Sequence, residues 1–204
     1  MKINLPNQIT LARLVLAVVF FVLLARFDIR QPNMLLLDVC TVLFIVAALT
    51  DWLDGYLARK HNQVTAMGRV LDPFVDKVLV CGTFVFLAGA SFRNIDGYQV
   101  TGLQPWMAVL ILGRELLVTG LRGFSESRGI SFGANHFGKA KMVLQSVAAP
   151  VLLFLVAHFS TTHYPLAVDW FKFTIVWATV IVTAASMLPY LIHSRSILTE
   201  ADAA

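Results

Sequence analysis

Four aspartates in two short stretches are the residues of this sequence best suited to chemistry. They are Asp51, Asp54, Asp72 and Asp76, and they lie on either side of a short polar stretch at residues 60–68. Residues three or four positions apart share one face of a helix, so each stretch places its two carboxylates together. An antiparallel helical hairpin would then bring all four carboxylates into one cluster.

Four carboxylates this close repel one another, and a divalent cation relieves that repulsion. Oxygen ligands suit Mg²⁺, Mn²⁺ or Ca²⁺, and a magnesium site commonly combines carboxylates with phosphates of the substrate. A set of four carboxylates can hold two ions, which together stabilise the attacking and the leaving oxygen in phosphoryl transfer. The spacing therefore indicates a metal site that acts on a phosphate or diphosphate.

Small residues accompany the aspartates on the same helix faces. Gly55 and Ala58 follow Asp51 by four and seven positions, and Gly68 precedes Asp72 by four. Small residues also allow membrane helices to pack closely, so they are not specific alone. Beside four carboxylates we favour the interpretation that they let a bulky ligand approach the backbone.

The composition places these motifs in a membrane protein. Of the 204 residues, 58% are hydrophobic and only 14% are charged, whereas soluble domains carry about 25% charged residues. The mean hydropathy is +0.75. This balance excludes solvated tails, coiled coils and disulfide scaffolds, and the absence of a Lys/Arg-rich block argues against a nucleic-acid partner.

Six apolar segments predict an all-α fold, a polytopic membrane protein with six transmembrane helices in one domain at residues 1–204. A membrane-spanning helix needs about 20 apolar residues. The segments cover residues 9–24, 35–57, 70–90, 106–121, 142–159 and 171–192. With the N-terminus inside, twelve Lys and Arg residues fall toward that side and four toward the other. This bias predicts that both termini and the aspartate hairpin are cytoplasmic.

The aspartates and small residues form one continuous motif, Asp51-x2-Asp54-Gly55-x2-Ala58-Arg59-x8-Gly68-x3-Asp72-x3-Asp76. This motif resembles the complete signature of the CDP-alcohol phosphatidyltransferase family, with every position filled at the family spacing. The six-helix architecture of that family also agrees with the six apolar segments. The resemblance therefore extends over nearly the whole chain.

The resemblance implies an integral membrane enzyme that cleaves the diphosphate of a CDP-linked lipid and passes the phosphate-bearing group to an acceptor hydroxyl, releasing CMP. It implies that the four aspartates bind two divalent ions, Mg²⁺ or Mn²⁺, and that Asp76 also takes the proton of the acceptor. It further implies a cytidine diphosphate site lined by Gly55, Ala58, Arg59 and Gly68. A carboxylate can accept a proton from an attacking hydroxyl, and a guanidinium can bind phosphate oxygens through paired donors.

Basic residues in the second half of the chain bear on the identity of the acceptor. Arg114 lies next to Glu115 within the fourth segment, and Lys139 and Lys141 precede the fifth. A phosphorylated acceptor is a dianion and needs fixed cations, so we predict that Arg114, Lys139 and Lys141 bind its phosphate. This pattern, together with residues 4–13, is similar to that of family members that join CDP-diacylglycerol and sn-glycerol 3-phosphate.

Several alternatives stay open at this level. The two lysines could be anchors at a cytoplasmic helix start, and Arg114 could pair internally with Glu115. The main alternative function is the same chemistry with another acceptor, such as inositol phosphate. A transporter, a prenyltransferase and a non-catalytic lipid-binding scaffold are more remote. By analogy with the family we expect contacts with membrane lipids, a homodimer, and a bacterial inner-membrane location with the site facing the cytoplasm.

The carboxylate cluster predicts that transfer activity depends on a divalent cation. Excess EDTA should abolish turnover, and added Mg²⁺ should restore it. Asp51→Asn, Asp54→Asn and Asp72→Asn should each remove most activity while the protein stays folded, because each compromises a ligand oxygen and its charge. The measurement is CMP release from CDP-diacylglycerol, and undiminished turnover in EDTA would contradict the metal site.

Overall fold

The fold is helical throughout the part of the chain that a computed structural model describes, residues 5–61, 66–127, 136–159 and 165–190. Side chains are described for residues 10–50, 74–127, 138–159 and 165–190. The α-helices are α1 (Leu5–Leu24), α2 (Met34–His61), α3 (Ala66–Leu87), α4 (Pro105–Ser127), α5 (His136–Phe159) and α6 (Leu166–Ala185). No strand occurs within these ranges, and the prediction of an all-α fold is confirmed.

Each predicted apolar segment falls on one of these helices, but the helices are longer than the apolar runs. The second segment was predicted to end at residue 57 and the third to begin at residue 70, whereas α2 continues to His61 and α3 begins at Ala66. Backbone hydrogen bonding continues through the charged turns, where hydropathy falls. The aspartate motif therefore lies inside two helices, and four residues separate those helices.

Two helices among the described residues are long and apolar enough to cross a membrane, Gly138–Phe159 and Leu166–Tyr190. Shorter apolar stretches occur in α1 and α2, at Thr10–Leu24 and Met34–Thr50. In α4 the apolar run is interrupted by charged residues, among them Arg114. Large apolar side chains are exposed on the outer faces of α1, α2, α5 and α6, a surface suited to lipid and not to water.

Phenylalanine contacts set the relative positions of α1, α2 and α3. The Phe20 ring of α1 meets Phe44 of α2 edge-on, with centroids 6.0 Å apart. The neighbouring Phe21 ring stacks on Phe86 of α3 at 5.6 Å. Gly82 permits this approach, because a Cβ at that position would lie 2.4 Å from Cζ of Phe21. These contacts fix the register of the helices that carry the aspartates.

The connection between α3 and α4 is held by polar groups that satisfy helix-end carbonyls. The Gln99 side-chain amide donates to the Leu87 carbonyl at 2.6 Å, and the Thr101 hydroxyl donates to the same oxygen at 2.9 Å. Lys172 of α6 donates to the Val100 carbonyl at 3.2 Å and pairs with Asp169 at 2.9 Å. This connection is therefore tied both to α3 and to α6.

Asp38, a charged residue to which the sequence assigned no function, pairs with a histidine far along the chain. Its Oδ1 lies 3.0 Å from Nε2 of His158, and their side chains are 38% and 42% exposed. The pair links the first turns of α2 to the end of α5. Because this hydrogen bond is exposed to solvent, it orients these helix ends more than it stabilises them.

The close approach of Phe21 to Gly82 predicts that Gly82→Ala destabilises the protein. The Phe21 ring is stacked on Phe86 and cannot swing away freely, so overpacking should cost about 1–3 kcal/mol. Gly113→Ala in α4 is the matched control, since no atom would lie within 4 Å of its new Cβ. That control should be neutral or stabilising by about 0.5–1 kcal/mol.

Thermal unfolding in detergent measures both variants. Phe21→Leu combined with Gly82→Ala should recover part of the loss, because the smaller side chain leaves room for the methyl group. Equal thermal midpoints for Gly82→Ala and Gly113→Ala would contradict the packing argument.

Candidate active site

The four aspartates lie inside two consecutive helices that pack against each other. Asp51 and Asp54 belong to α2, and Asp72 and Asp76 to α3. Helical spacing of three and four residues places each pair on one face of its helix. The side chains of the first three lie outside the described residues, as do those of the predicted nucleotide-binding residues Gly55, Ala58, Arg59 and Gly68.

The Asp76 side chain is described, and it lines a narrow cleft between α3, α4 and α5. The cleft is also lined by Cys81, Glu115, Lys141 and Gln145. The structure therefore brings Asp76, the predicted base, into the same cleft as Lys141, a predicted acceptor ligand. A cation and a carboxylate so placed can bind an anionic group and accept a proton from a neighbouring hydroxyl.

Glu115 is the centre of a buried cluster of charges in this cleft. Its Oε1 accepts a hydrogen bond from Nζ of Lys141 and another, at 3.3 Å, from Nη1 of Arg114. All three side chains are nearly inaccessible to solvent. Buried charges are stable only when paired, so the carboxylate holds two cations of different helices in place. The cluster joins two basic groups to one carboxylate, and Asp76 lines the same cleft.

A chain of polar contacts extends the cluster to α6. Nε of Arg114 donates to the hydroxyl of Ser186 at 2.8 Å. That hydroxyl donates in turn to the carbonyl of Thr183 at 2.7 Å, and the Thr183 hydroxyl accepts from the Gln145 side chain at 2.9 Å. The α4, α5 and α6 helices are thus joined by side-chain hydrogen bonds. The sequence did not identify Ser186 and Thr183 as members of this network, because neither belongs to a recognisable motif.

The structure brings two of the three predicted acceptor ligands together and separates the third from them. Arg114 and Lys141 meet through Glu115, whereas Lys139 is exposed. Positions two apart on a helix do not face each other, so the two lysines lie on different faces of α5. The internal pairing of Arg114 with Glu115, an alternative left open by the sequence, is present in the structure.

Arg13 of α1 lies at the level of the aspartates, and sequence reasoning did not include it among the site residues. Only 1% of its surface is exposed. Phe20 of α1 contacts Phe44 of α2, and the two helices run antiparallel. The residue seven positions before Phe20 and the residue seven positions after Phe44 therefore lie at the same height along the helix axes. These positions are Arg13 and Asp51. An arginine inside an apolar run was the available signal, since such residues are commonly functional.

The chemistry of the donor set fits divalent cations. The motif offers carboxylate oxygens from two packed helices, which is the ligand type that Mg²⁺ and Mn²⁺ prefer. Among the described side chains no group of three or more metal-ligating residues occurs. Three of the four aspartate side chains lie outside that part of the chain.

Comparison with known proteins yields a consistent set of relatives. The sequence profile described as CDP-alcohol phosphatidyltransferase matches residues 3–187. A CDP-diacylglycerol–glycerol-3-phosphate 3-phosphatidyltransferase of Bacillus subtilis (strain 168) is 36% identical over 171 residues, covering 80% of this chain and 83% of the relative. The protein of that name from Yersinia pestis (strain Pestoides F) is 32% identical over 202 residues, or 98% of this chain and 100% of the relative. That from Rickettsia bellii (strain RML369-C) is 37% identical over 150 residues, covering 74% and 75%.

The buried cluster predicts that Glu115→Gln destabilises the protein strongly. Removing the carboxylate leaves two buried cations without their anion, which typically costs about 3–5 kcal/mol. Glu126→Gln, an exposed change on the same helix, is the matched control and should be neutral.

Thermal unfolding again gives the measurement, with a double variant as the sharper test. Adding Lys141→Met to Glu115→Gln removes one of the two unpaired cations and should recover part of the loss. Strictly additive losses would show that Glu115 and Lys141 do not interact energetically.

Proposed function

The chain belongs to the CDP-alcohol phosphatidyltransferase family, and from that premise we propose that it transfers the phosphatidyl group of CDP-diacylglycerol to sn-glycerol 3-phosphate. The products are phosphatidylglycerophosphate and CMP. The observation that carries the proposal is similarity over 80% and 98% of the chain to two relatives whose names state this reaction. The complete aspartate motif and a buried cationic cluster beside Asp76 support it.

We propose that the aspartate hairpin forms the reaction centre. Two divalent cations held by Asp51, Asp54, Asp72 and Asp76 would neutralise the charge of the diphosphate. Asp76 accepts the proton of the attacking hydroxyl. The hydroxyl oxygen forms a bond to the phosphorus of the phosphatidyl group, while the bond from that phosphorus to the CMP oxygen breaks and CMP leaves.

The nucleotide side of the centre is assigned to the small and basic residues of the motif. Gly55, Ala58 and Gly68 lack bulky side chains, so the cytidine diphosphate can approach the helix backbone. Arg59 binds phosphate oxygens through the planar fork of its guanidinium. These roles follow from the family resemblance and the helical spacing of the motif.

The acceptor side is assigned to the cationic cluster. Arg114 and Lys141 lie together at Glu115, and two basic groups in one place favour a phosphorylated acceptor over a neutral one. Lys139 is exposed on another face of α5 and serves as an outer cation on the path of the acceptor. An inositol phosphate would meet the same charges and is the alternative acceptor.

The membrane arrangement completes the proposal. The helices cross the bilayer as a single domain of residues 1–204, with six spans and both termini in the cytoplasm. The exposed apolar faces and the lysine and arginine bias support this topology. The enzyme then lies in the inner membrane of a bacterium, with its centre facing the cytoplasm, and forms a homodimer as family members often do.

The acceptor is tested by incubating the purified protein with CDP-diacylglycerol, Mg²⁺ and one acceptor at a time. The panel is sn-glycerol 3-phosphate, glycerol, inositol phosphate and serine. We expect phosphatidylglycerophosphate and CMP in equal amounts with sn-glycerol 3-phosphate alone, identified by mass spectrometry. A different lipid product would overturn the assignment of the acceptor.

The exposed residue Lys139 allows a kinetic test that leaves the fold intact. Lys139→Ala should raise the KM for sn-glycerol 3-phosphate by about 10- to 150-fold, the loss of one charge-assisted hydrogen bond. The KM for CDP-diacylglycerol should not change. Arg30→Ala, which removes an exposed cation between α1 and α2, should alter neither constant. An unchanged acceptor KM in Lys139→Ala would make that lysine a membrane anchor.

A further inference from the structure

Gln145 is an uncharged polar residue of α5 that lines the cleft containing Asp76. Only 2% of its surface is exposed. It follows Lys141 by four positions, so both side chains lie on the same face of α5 and line the same cleft. None of the roles assigned to the aspartate motif or to the cationic cluster involves this amide.

The amide of Gln145 is held at its nitrogen. Nε2 donates to the hydroxyl of Thr183 on α6 at 2.9 Å, and Thr183 is itself fully buried. An amide side chain has two N–H donors and a carbonyl oxygen with two lone pairs. Within the described part of the chain, the bond to Thr183 is the only hydrogen bond of the Gln145 side chain. The carbonyl oxygen Oε1 therefore keeps its capacity to accept hydrogen bonds, which buried polar groups normally use.

The chemistry of this oxygen determines which group it can bind. A carbonyl oxygen accepts hydrogen bonds and repels the oxygens of a phosphate, so it suits a hydroxyl. The cleft is narrow, and a single hydroxyl fits beside Gln145 more readily than a phosphate. Asp76, in the same cleft, is the proposed base for the attacking hydroxyl of the acceptor. The carbon next to that hydroxyl carries a second hydroxyl in sn-glycerol 3-phosphate.

We propose that Gln145 is a specificity-determining residue that binds this second, non-reacting hydroxyl, and that Thr183 is the positioning residue that fixes its amide. The inference rests on the proposed function, because it takes sn-glycerol 3-phosphate as the acceptor. The bond to Oε1 orients the glycerol carbons so that the terminal hydroxyl faces Asp76. Gln145 thus recognises the glycerol part of the acceptor and not its phosphate.

The test compares two acceptors, sn-glycerol 3-phosphate and propane-1,3-diol monophosphate, which keeps the phosphate and the attacking hydroxyl but lacks the second hydroxyl. Wild-type protein should use the second acceptor with a kcat/KM lower by about 5- to 150-fold, because the buried carbonyl oxygen is then left unpaired. Gln145→Met keeps the length of the side chain and removes its hydrogen bonds. This variant should lose activity with sn-glycerol 3-phosphate alone, so that the two acceptors differ by less than about threefold. The KM for CDP-diacylglycerol should not change.

Variants of Thr183 separate positioning from general support of the fold. Thr183→Val should reduce the discrimination between the two acceptors, and Thr183→Ser, which keeps the hydroxyl, should retain it. Thr179→Val is the matched control, because Thr179 is a buried threonine of α6 whose hydroxyl bonds only to the Ile175 carbonyl of its own helix. If Thr183 acts through the amide, adding Thr183→Val to Gln145→Met should cause no further loss of discrimination.

The outcomes distinguish this inference from the proposed function. Wild-type protein that makes no phosphatidylglycerophosphate would refute the function itself. Active wild-type protein with equal kcat/KM for both acceptors would overturn only the role of Gln145, and so would full discrimination in Gln145→Met. If Gln145→Met is poorly folded, the comparison of Thr183→Val with Thr183→Ser decides, and equal discrimination in those two variants would overturn the proposal.

Discussion

A charge buried among apolar helices must have a partner, and this constraint organises the second half of the molecule. Glu115 is the only buried carboxylate among the described side chains, and it binds a cation of its own helix and one of α5. Removing Glu115 would leave both cations uncompensated in a medium of low dielectric constant. The positions of α4, α5 and α6 relative to one another therefore depend on this cluster as well as on apolar packing.

The first half of the molecule carries the four aspartates of the motif on two helices that pack against each other. Ring contacts of Phe20 and Phe21 lock α1 against α2 and α3, the two helices that carry the aspartates. Buried Arg13 lies level with the first of them. Rigid packing of these helices is suited to carboxylates that would otherwise repel one another. Asp76 connects the halves, since it faces the cleft that also contains Lys141.

Much of the fold could be predicted because its signals are local. Apolar runs are contiguous, so each predicted segment corresponds to one helix. Helix ends were less predictable. The α2 helix continues to His61, beyond the apolar run, because backbone hydrogen bonds form in polar turns as well as in apolar ones. The pairing of Asp38 with His158 could not be predicted at all, because those residues are 120 positions apart and neither belongs to a motif.

By itself the sequence determined the helical class, the aspartate motif and its family, since these depend on residue types at short spacings. It also identified Arg114 and Lys141 as unusual cations, without deciding whether they bind a ligand or pair internally. The tertiary structure decided that both meet Glu115 and that Lys139 lies apart on another face of α5. The physical reason is that a helix specifies its own faces, whereas the charges those faces meet depend on how distant segments pack.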